Sequence, residues 1–220
     1  MLKNFYIIRV QGGNMITSAE RTMEKQLKNP FPMKFVKVRV GATSKDKKKG
    51  IPLFYIDARE VMKRLDEVCG IFGWQRKVQN IEGGATASIA IKNPFTNEWV
   101  EKADAGENSK TSPIKGASSD AFKRAAANWG IGRYLYYIPN RWCPLNEYKQ
   151  FETLPELPEW AQNVKNIESW EEIAEKEYNP KDDVGLDEVD FTDMEAERTL
   201  TEAKHLRDQI AQHLKAQKND

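Results

Sequence analysis

The sequence predicts an α+β fold in which a small antiparallel β-sheet packs on one central helix. Three short runs of strand-forming residues between positions 74 and 103 are separated by turn-forming segments, which is typical of an antiparallel meander. Two further short strands precede the meander, and an alanine-rich helical segment follows it. The C-terminal part is acidic and poor in large apolar residues, which predicts a disordered or helical tail.

The first predicted helix follows an N-terminal extension at residues 1–17, within which Met15 is an alternative start. Residues 19–27 form this helix, and Ser18 is placed to cap it, because a serine hydroxyl accepts a hydrogen bond from the first turn. Asn29-Pro30 is predicted to end it, because the residue before a proline disfavours helical backbone.

A lysine-rich segment separates the two N-terminal strands. Residues 35–40 alternate in polarity, which predicts a strand whose basic face includes Arg39. Residues 44–50 have no apolar anchor and are predicted to be an exposed loop, and residues 53–56 are predicted to form the second strand. Three neighbouring cations lie in this loop, namely Lys47, Lys48 and Lys49.

A second helix and the meander come next. Asp57 is placed to cap this helix and Gly70 to end it. The strands of the meander are predicted at residues 74–81, 86–91 and 98–103.

The central helix is the clearest element of the sequence. Ser112 is a suitable N-cap, Pro113 suits the first helical position, and Gly130 suits the exit. Its alanines are predicted to let it approach the sheet closely, and they are Ala117, Ala121, Ala125, Ala126 and Ala127. A short second helix or turn follows at residues 131–137.

Charge divides the chain into a basic body and an acidic tail. Residues 151–220 contain 8 basic and 19 acidic residues, which leaves 26 basic and 14 acidic residues in the first 150. This layout is common in nucleic-acid-binding proteins, although two solvated surfaces of opposite charge would give the same balance. We place the body at residues 18–161 and the tail at 162–220, with disorder predicted for 162–197 and a helix for 197–216.

Several kinds of chemistry lack their usual residues. Both histidines, His205 and His213, lie in the predicted tail, which excludes a histidine-based nucleophile or metal site from the body. Residues 41–50 lack the Gly-Lys-Ser/Thr of an ATP-binding loop. Cys69 and Cys143 are far apart, and no apolar run approaches the length of a membrane span. The sequence therefore predicts a soluble, intracellular protein with no cofactor and no catalytic residues.

A metal-dependent nuclease is the enzymatic alternative. Glu147-Tyr148-Lys149 has the carboxylate-x-lysine pattern of some nucleases, and Glu101 and Asp104 lie on one predicted strand. The odd spacing directs these last two carboxylates to opposite faces, which argues against a shared metal ion. Magnesium-dependent degradation of a labelled strand would reveal such an activity.

The central helix carries a basic stripe. Lys115, Ser119 and Lys123 are spaced four residues apart and share one face, and Arg124 lies beside Lys123. A helix held on a sheet by its alanine face can present such cations to the phosphates of a nucleic acid. Taken alone, the stripe is equally consistent with solvated lysines on a protein surface.

Several motifs together resemble one protein family. Asp120-Ala121-Phe122-Lys123-Arg124-Ala125, followed by Trp129-Gly130, resembles the central helix of the Rad52/Rad22 family of single-strand annealing proteins. Residues 57–66 resemble the first helix of that family, and Phe72-Gly73-Trp74 resembles the entry to its sheet. The segments 131–136 and 154–161 are particularly similar to the bacterial DdrA branch of the family and its phage relatives.

The resemblance implies an oligomeric ring or helix in which single-stranded DNA lies in a basic groove. It makes residues 18–161 the DNA-binding, annealing and oligomerisation domain, and it places the protein in the cytoplasm of a bacterial or phage-infected cell. Lys123 and Arg124 match the phosphate-binding pair of the family, and Lys115 matches a further groove lysine. Replacing both Lys123 and Arg124 by glutamate is predicted to abolish most binding and to leave the fold intact.

Other site residues match the family less closely. Arg39 is one candidate for an arginine that the family has near its first strand, and the alternatives are Lys47, Lys48 and Lys49. Ala127 departs from the family pattern, which often has a third cation at that position. Arg133 is the candidate substitute for this cation.

The resemblance predicts a protein that binds single-stranded DNA and anneals complementary strands without ATP, in recombination and repair. Its implied partners are single-stranded DNA, the annealed duplex intermediate and further copies of itself. A protein that protects DNA ends without annealing them is one alternative, and the metal-dependent nuclease is another. The acidic tail is predicted to compete with DNA for the groove, to contact a partner such as a single-strand-binding protein, or only to keep the protein soluble.

Overall fold

The computed structural model of the protein describes residues 18–108, 113–162, 184, 189–191 and 194–217. The α-helices in these ranges are α1 (Ser18–Lys28), α2 (Ala58–Cys69), α3 (Pro113–Asn128), α4 (Glu159–Gln162) and α5 (Met194–Gln217). The strands are β1 (Val36–Ser44), β2 (Lys49–Ile56), β3 (Trp74–Ile81), β4 (Gly84–Lys92), β5 (Trp99–Glu107), β6 (Cys143–Pro144) and β7 (Val189–Phe191). Short 3-10 turns lie at Met33–Phe35 and Arg133–Tyr137.

The strands form two antiparallel sheets. β3, β4 and β5 form the predicted meander, with β4 in the centre. β1 and β2 pair with each other in a second sheet, whose order is β6-β2-β1-β7. The α+β class is confirmed, whereas the N-terminal strands form a sheet of their own, because α2 connects β2 to β3 and packs against α1 and α3.

The lysine-rich segment is a tighter turn than the sequence predicts. β1 continues to Ser44 and β2 begins at Lys49, so a turn at residues 45–48 replaces the predicted loop of 44–50. The Ser44 hydroxyl donates to the Asp46 carboxylate at 2.6 Å and accepts from the Lys49 amide at 3.0 Å, which closes the turn. Both strands are longer than predicted, and their added residues Ala42 and Ile51 are fully buried. They pack with Ala196 and Leu200, which lie far away in the sequence, so a local pattern does not reveal this burial.

Helix α3 lies across β4 and β5 at the centre of the main core. Ala121 and Ala125 are fully buried, as expected for a helix that approaches a sheet closely. Gly106 on β5 faces the helix, and a Cβ atom there would lie 2.5 Å from the backbone nitrogen of Ala121. Gly130, with a φ of 88°, follows the helix as predicted. The predicted N-cap Ser112 lies outside the described residues.

Two predicted N-caps have other positions or partners in the structure. Ser18 is the first residue of α1 rather than its cap. Asp57 precedes α2, but its side chain makes no capping hydrogen bond. Its carboxylate instead pairs with the Lys37 ammonium on β1 at 2.6 Å. The predicted end of α2 is confirmed, since Gly70 follows it with a left-handed φ of 73°.

The described C-terminal residues pack on the body. We call β7 and α5 the C-terminal arm; β7 pairs with β1, and α5 packs on β1, β5 and the 3-10 turn at 133–137. Ala196 and Leu200 of α5 form a small cluster with three residues of the N-terminal sheet, namely Ala42, Ile51 and Leu53. The predicted terminal helix is present and begins at Met194. Most of the segment predicted to be disordered, 162–197, lies outside the described residues, but the prediction is wrong for residues 189–191 and 194–197, which form β7 and the start of α5 because they pair with and pack on the body. Within the described ranges, none of the helices has the length and apolar character needed to cross a bilayer.

Candidate nucleic-acid interface

A narrow cleft of about 80 Å³ lies where α3, β2 and the 3-10 turn at 133–137 meet α5. Lys123 and Arg124 line it from α3, and Tyr55 lines it from β2. Leu200 and Arg207 line it from α5. The cleft therefore combines the two predicted phosphate-binding cations with an aromatic ring, which suits a single-stranded nucleic acid because bases stack on aromatic side chains.

Lys123 is half-buried at the cleft and contacts Tyr55. Its ammonium lies 5.6 Å from the centroid of the Tyr55 ring. Tyr55 stands directly opposite Lys37 across the β1–β2 pair, so their side chains share one face of the sheet. Tyr55 was not predicted as a site residue, because the residue pattern of β2 does not show which face of the strand borders a cleft.

Arg124 is 8 % exposed and is already bound to carboxylates. Its Nε donates to Oδ1 of Asp104 at 3.4 Å, and its Nη2 donates to Oε1 of Glu202 on α5 at 2.7 Å. Burial lowers the pKa of the Arg124 guanidinium, but the Glu202 hydrogen bond and the neighbouring acidic groups outweigh burial and raise that pKa. Burial also raises the pKa of the adjacent Tyr136 to about 12, so its hydroxyl stays protonated.

Arg133 lies at the C-terminal end of α3. Its Nε donates to the Ala127 carbonyl at 2.8 Å and its Nη2 to the Asn128 carbonyl at 2.9 Å, so it caps the helix. Lys102 adds a third bond, from its ammonium to the Asn128 carbonyl at 2.9 Å. Arg133 also borders a second cleft of about 410 Å³ together with Arg124, and its role as a substitute cation stays a prediction.

Lys115 and Arg39 are two further predicted site residues, and both precede the Lys123–Arg124 pair in the chain. Lys115 is exposed on the first turns of α3, two turns before Lys123. Arg39 is half-buried on β1 and stands directly opposite Leu53, so both side chains share one face of the sheet. Leu53 lines the first cleft and packs with Leu200, which places Arg39 on the sheet face that α5 covers.

Lys47 and Lys48 in the β1–β2 turn, and Lys49 at the start of β2, are exposed. The Lys47 ammonium nevertheless pairs with the Asp190 carboxylate of β7. The backbone carbonyl of Lys47 accepts a hydrogen bond of 3.2 Å from the Lys149 ammonium. The turn therefore contacts the C-terminal arm, and the predicted cations Arg124 and Lys47 both have a carboxylate of the arm as partner.

Comparison with known proteins identifies the family. The family model described as Rad52/22 family double-strand break repair protein matches residues 19–92 and 90–153, which is more than half of the chain. The chain belongs to the Rad52/22 family. The predicted resemblance is thereby confirmed, and the matched residues include α3 with its Lys123–Arg124 pair.

Two curated relatives in the Rad52/22 family share the body of the chain. The single-stranded DNA-binding protein DdrA of Deinococcus deserti is 39 % identical over 142 residues, which cover 63 % of this chain and 69 % of the relative. The protein of the same name from Deinococcus radiodurans is 36 % identical over 142 residues, which cover 63 % of this chain and 67 % of the relative.

The sequence did not predict the acidic partners of the cations in this Rad52/22 family chain, and Asp104 was considered only as a nuclease carboxylate. Asp104 lies on β5, and Glu202 and Asp190 belong to the arm. The sequence contains one weak signal for Glu202, since Arg198 precedes it by four residues and pairs with it at 3.2 Å. The contact of Glu202 with Arg124 joins residues that are 78 positions apart, so no local sequence pattern predicts it.

The two carboxylates considered for a nuclease have different surroundings. Glu101 accepts a hydrogen bond from the Ser88 hydroxyl on β4, whereas Asp104 faces Arg124 and Arg198. In the part of the Rad52/22 chain that the structure describes, no group of three or more histidine, cysteine, aspartate or glutamate side chains could hold a metal ion.

Proposed function

We propose that the protein binds single-stranded DNA along the Lys123–Arg124 face of α3 and accelerates the annealing of complementary strands without ATP. The observation that carries this proposal is the cleft itself. There Lys123 contacts Tyr55, Arg124 lies beside it, and the helix that holds both cations is within the region matched to the Rad52/22 family. The relatives named as single-stranded DNA-binding proteins support the same ligand.

The proposed mechanism contains no covalent step and no cofactor. Cations of the groove neutralise backbone phosphates and release counterions, which drives binding. Contacts to phosphates fix the path of the strand and leave sequence recognition to base pairing. Duplex formation is favourable in itself, so a held, extended strand needs no nucleotide hydrolysis to pair.

A single-strand-binding protein that protects DNA ends without annealing is the second candidate. The names of the two DdrA relatives state single-strand binding, which is the activity that this candidate requires. The two functions separate in one assay, because both predict binding and only the first predicts faster pairing of complementary oligonucleotides.

Assembly into an oligomer is part of the proposal. β3 is an edge strand of the meander, and nearly all of its side chains are exposed, including Val78 and Ile81. Edge strands have backbone groups available for pairing with a further strand, and exposed apolar residues beside an edge favour covering by a second copy.

Replacing Lys123 by glutamate is expected to weaken binding of a single-stranded oligonucleotide at least tenfold and to slow annealing in parallel. The substitution places a carboxylate where a phosphate is expected to lie, so attraction becomes repulsion. Fluorescence anisotropy measures binding, and the pairing rate of labelled complementary strands measures annealing.

Lys63→Glu is the matched control, because Lys63 is exposed on α2, pairs with Glu67 and does not line the cleft. It makes the same change of net charge and is expected to alter binding much less. Wild-type affinity should also fall with salt, with a log–log slope of about −0.7 per phosphate neutralised. Equal losses of DNA binding from Lys123→Glu and Lys63→Glu would contradict the assignment of the groove.

Replacing Val78 by glutamate is expected to shift the protein towards smaller species. The substitution places a charge on the exposed edge strand β3, where a second copy is proposed to pair. Mass photometry and sedimentation velocity measure the distribution of species. Tyr148→Glu, at an exposed loop residue, is the control; a wild-type protein that is monomeric with and without DNA would contradict assembly.

A further inference from the structure

The C-terminal arm places carboxylates on two separate cations of the proposed DNA-binding surface. Glu202 of α5 accepts from Arg124 at 2.7 Å, and Asp190 of β7 pairs with Lys47 at the far end of the N-terminal sheet. The arm belongs to the acidic part of the chain. Carboxylates on phosphate-binding cations occupy the positions that phosphates of DNA are proposed to take.

Helix α5 also covers the surface between these two contacts. It lies between the cleft of about 80 Å³ and the cleft of about 410 Å³, and both clefts are bordered by Arg124, Ala127 and Tyr136. Removal of α5 would therefore join them into one trough along α3. With α5 in place, Arg124 is 8 % exposed, so α5 and its Glu202 shield the guanidinium from a phosphate.

The attachment of the arm is separate from the main core. Ala196 and Leu200 pack in the small cluster with Ala42, Ile51 and Leu53, and the main core cluster of the described residues contains no residue of the arm. Detachment would therefore leave the packing of α3 on the meander in place. Arg207 is a polar anchor of the arm: it is fully buried and donates to the Tyr136 and Ile138 carbonyls at 2.9 and 3.0 Å.

The ion pairs of the arm are of a kind that DNA can replace. The Glu202 side chain is 40 % exposed, and the Lys47 and Asp190 side chains are 46 % and 49 % exposed. The Lys47–Asp190 pair is exposed on both sides, so it is weak and screened by salt, whereas the Arg124–Glu202 pair is exposed only on its Glu202 side. A strand that offers several phosphates at once exchanges each carboxylate for an equivalent or stronger partner.

We propose that the C-terminal arm is a displaceable occupant of the single-strand DNA site, so that Arg124 becomes available to phosphate only when β7 and α5 leave the body. This inference rests on the proposed function. It makes the free protein a closed form whose affinity for DNA is reduced by the cost of releasing the arm.

Neutralising the two contacting carboxylates tests the competition. A Glu202→Gln, Asp190→Asn double variant is expected to bind a single-stranded oligonucleotide about tenfold more tightly than wild type at low salt, with a smaller gain at high salt. The matched control is Glu197→Gln with Asp208→Asn, which makes the same change of charge. Glu197 is exposed, and Asp208 pairs with Lys204 of the same helix.

A reversible lock tests whether the arm must move. Ser44 and Val189 stand opposite each other in the β1–β7 pair, at a separation suited to a disulfide. Cysteines are introduced at both positions, with Cys69 and Cys143 replaced by serine. The oxidised form is expected to bind the oligonucleotide at least tenfold more weakly than the reduced form of the same protein, and reductant is expected to restore binding.

The outcomes distinguish the two levels of the proposal. Equal affinity of the oxidised and reduced forms, or a double variant that binds no more tightly than its control, would overturn displacement of the arm. If every form binds equally well, single-strand binding stands and only the arm proposal fails. If no form binds, including the reduced protein, the proposed function fails and the arm proposal fails with it.

Discussion

Replacing Arg124 by glutamate is expected to lower the free energy of unfolding by roughly 3 kcal/mol, the lower end of the cost of breaking a buried ion pair. The guanidinium is 8 % exposed and binds both Asp104 and Glu202. The substitution would gather three carboxylates around one largely buried point. Because Arg124 is buried, we now expect the Lys123→Glu, Arg124→Glu double substitution to destabilise the fold, in contrast to the expectation from the sequence.

Urea denaturation monitored by tryptophan fluorescence measures this loss. Lys123→Glu is the matched control, because it makes the same charge change one residue away on α3 at a half-buried side chain. It is expected to cost less than about 1 kcal/mol, in the range of exposed or partly exposed sites. Equal stability of the two variants would show that the Arg124 pairs contribute little in solution. Because Arg124→Glu is expected to destabilise the protein, binding assays should use Arg124→Lys, which keeps the charge.

Replacing Gly106 by alanine is expected to destabilise the protein by roughly 3 kcal/mol, the upper end of the range for overpacking. The new Cβ would lie 2.5 Å from the backbone nitrogen of Ala121 and 2.7 Å from the backbone oxygen of Ala117. Both atoms belong to the backbone of α3, so relief requires the whole helix to move away from β5. Thermal denaturation followed by circular dichroism measures the effect.

Gly83→Ala provides the comparison for this substitution. Gly83 lies in the turn between β3 and β4, where an added Cβ meets nothing within 4 Å, but its φ of 76° is unfavourable for alanine. That strain is expected to cost about 1 kcal/mol. If Gly106→Ala is no more destabilising than Gly83→Ala, the close approach of α3 to β5 does not hold in solution.

Local patterns determined much of the body of this protein. Trp74–Ile81 was predicted with its final bounds, because turn-forming residues flank a strand whose residues favour extended backbone. The alanines, Pro113 and Gly130 marked α3, since helix ends and close packing depend on residues near in sequence. Several family motifs in order indicated the Rad52/22 family, which the family comparison confirmed.

Only the tertiary structure decided how the predicted cations are used. The sequence placed Arg124 beside Lys123 on a basic stripe, yet packing half-buries one and buries the other against Asp104 and Glu202. Glu202 lies 78 residues from Arg124 and Asp190 lies 143 residues from Lys47. Helical and strand periodicity report on neighbours within a few residues, so they show which face a charge occupies. Which distant segment covers that face depends on how the arm folds back, and this decides whether a cation meets solvent, a phosphate or a carboxylate of its own chain.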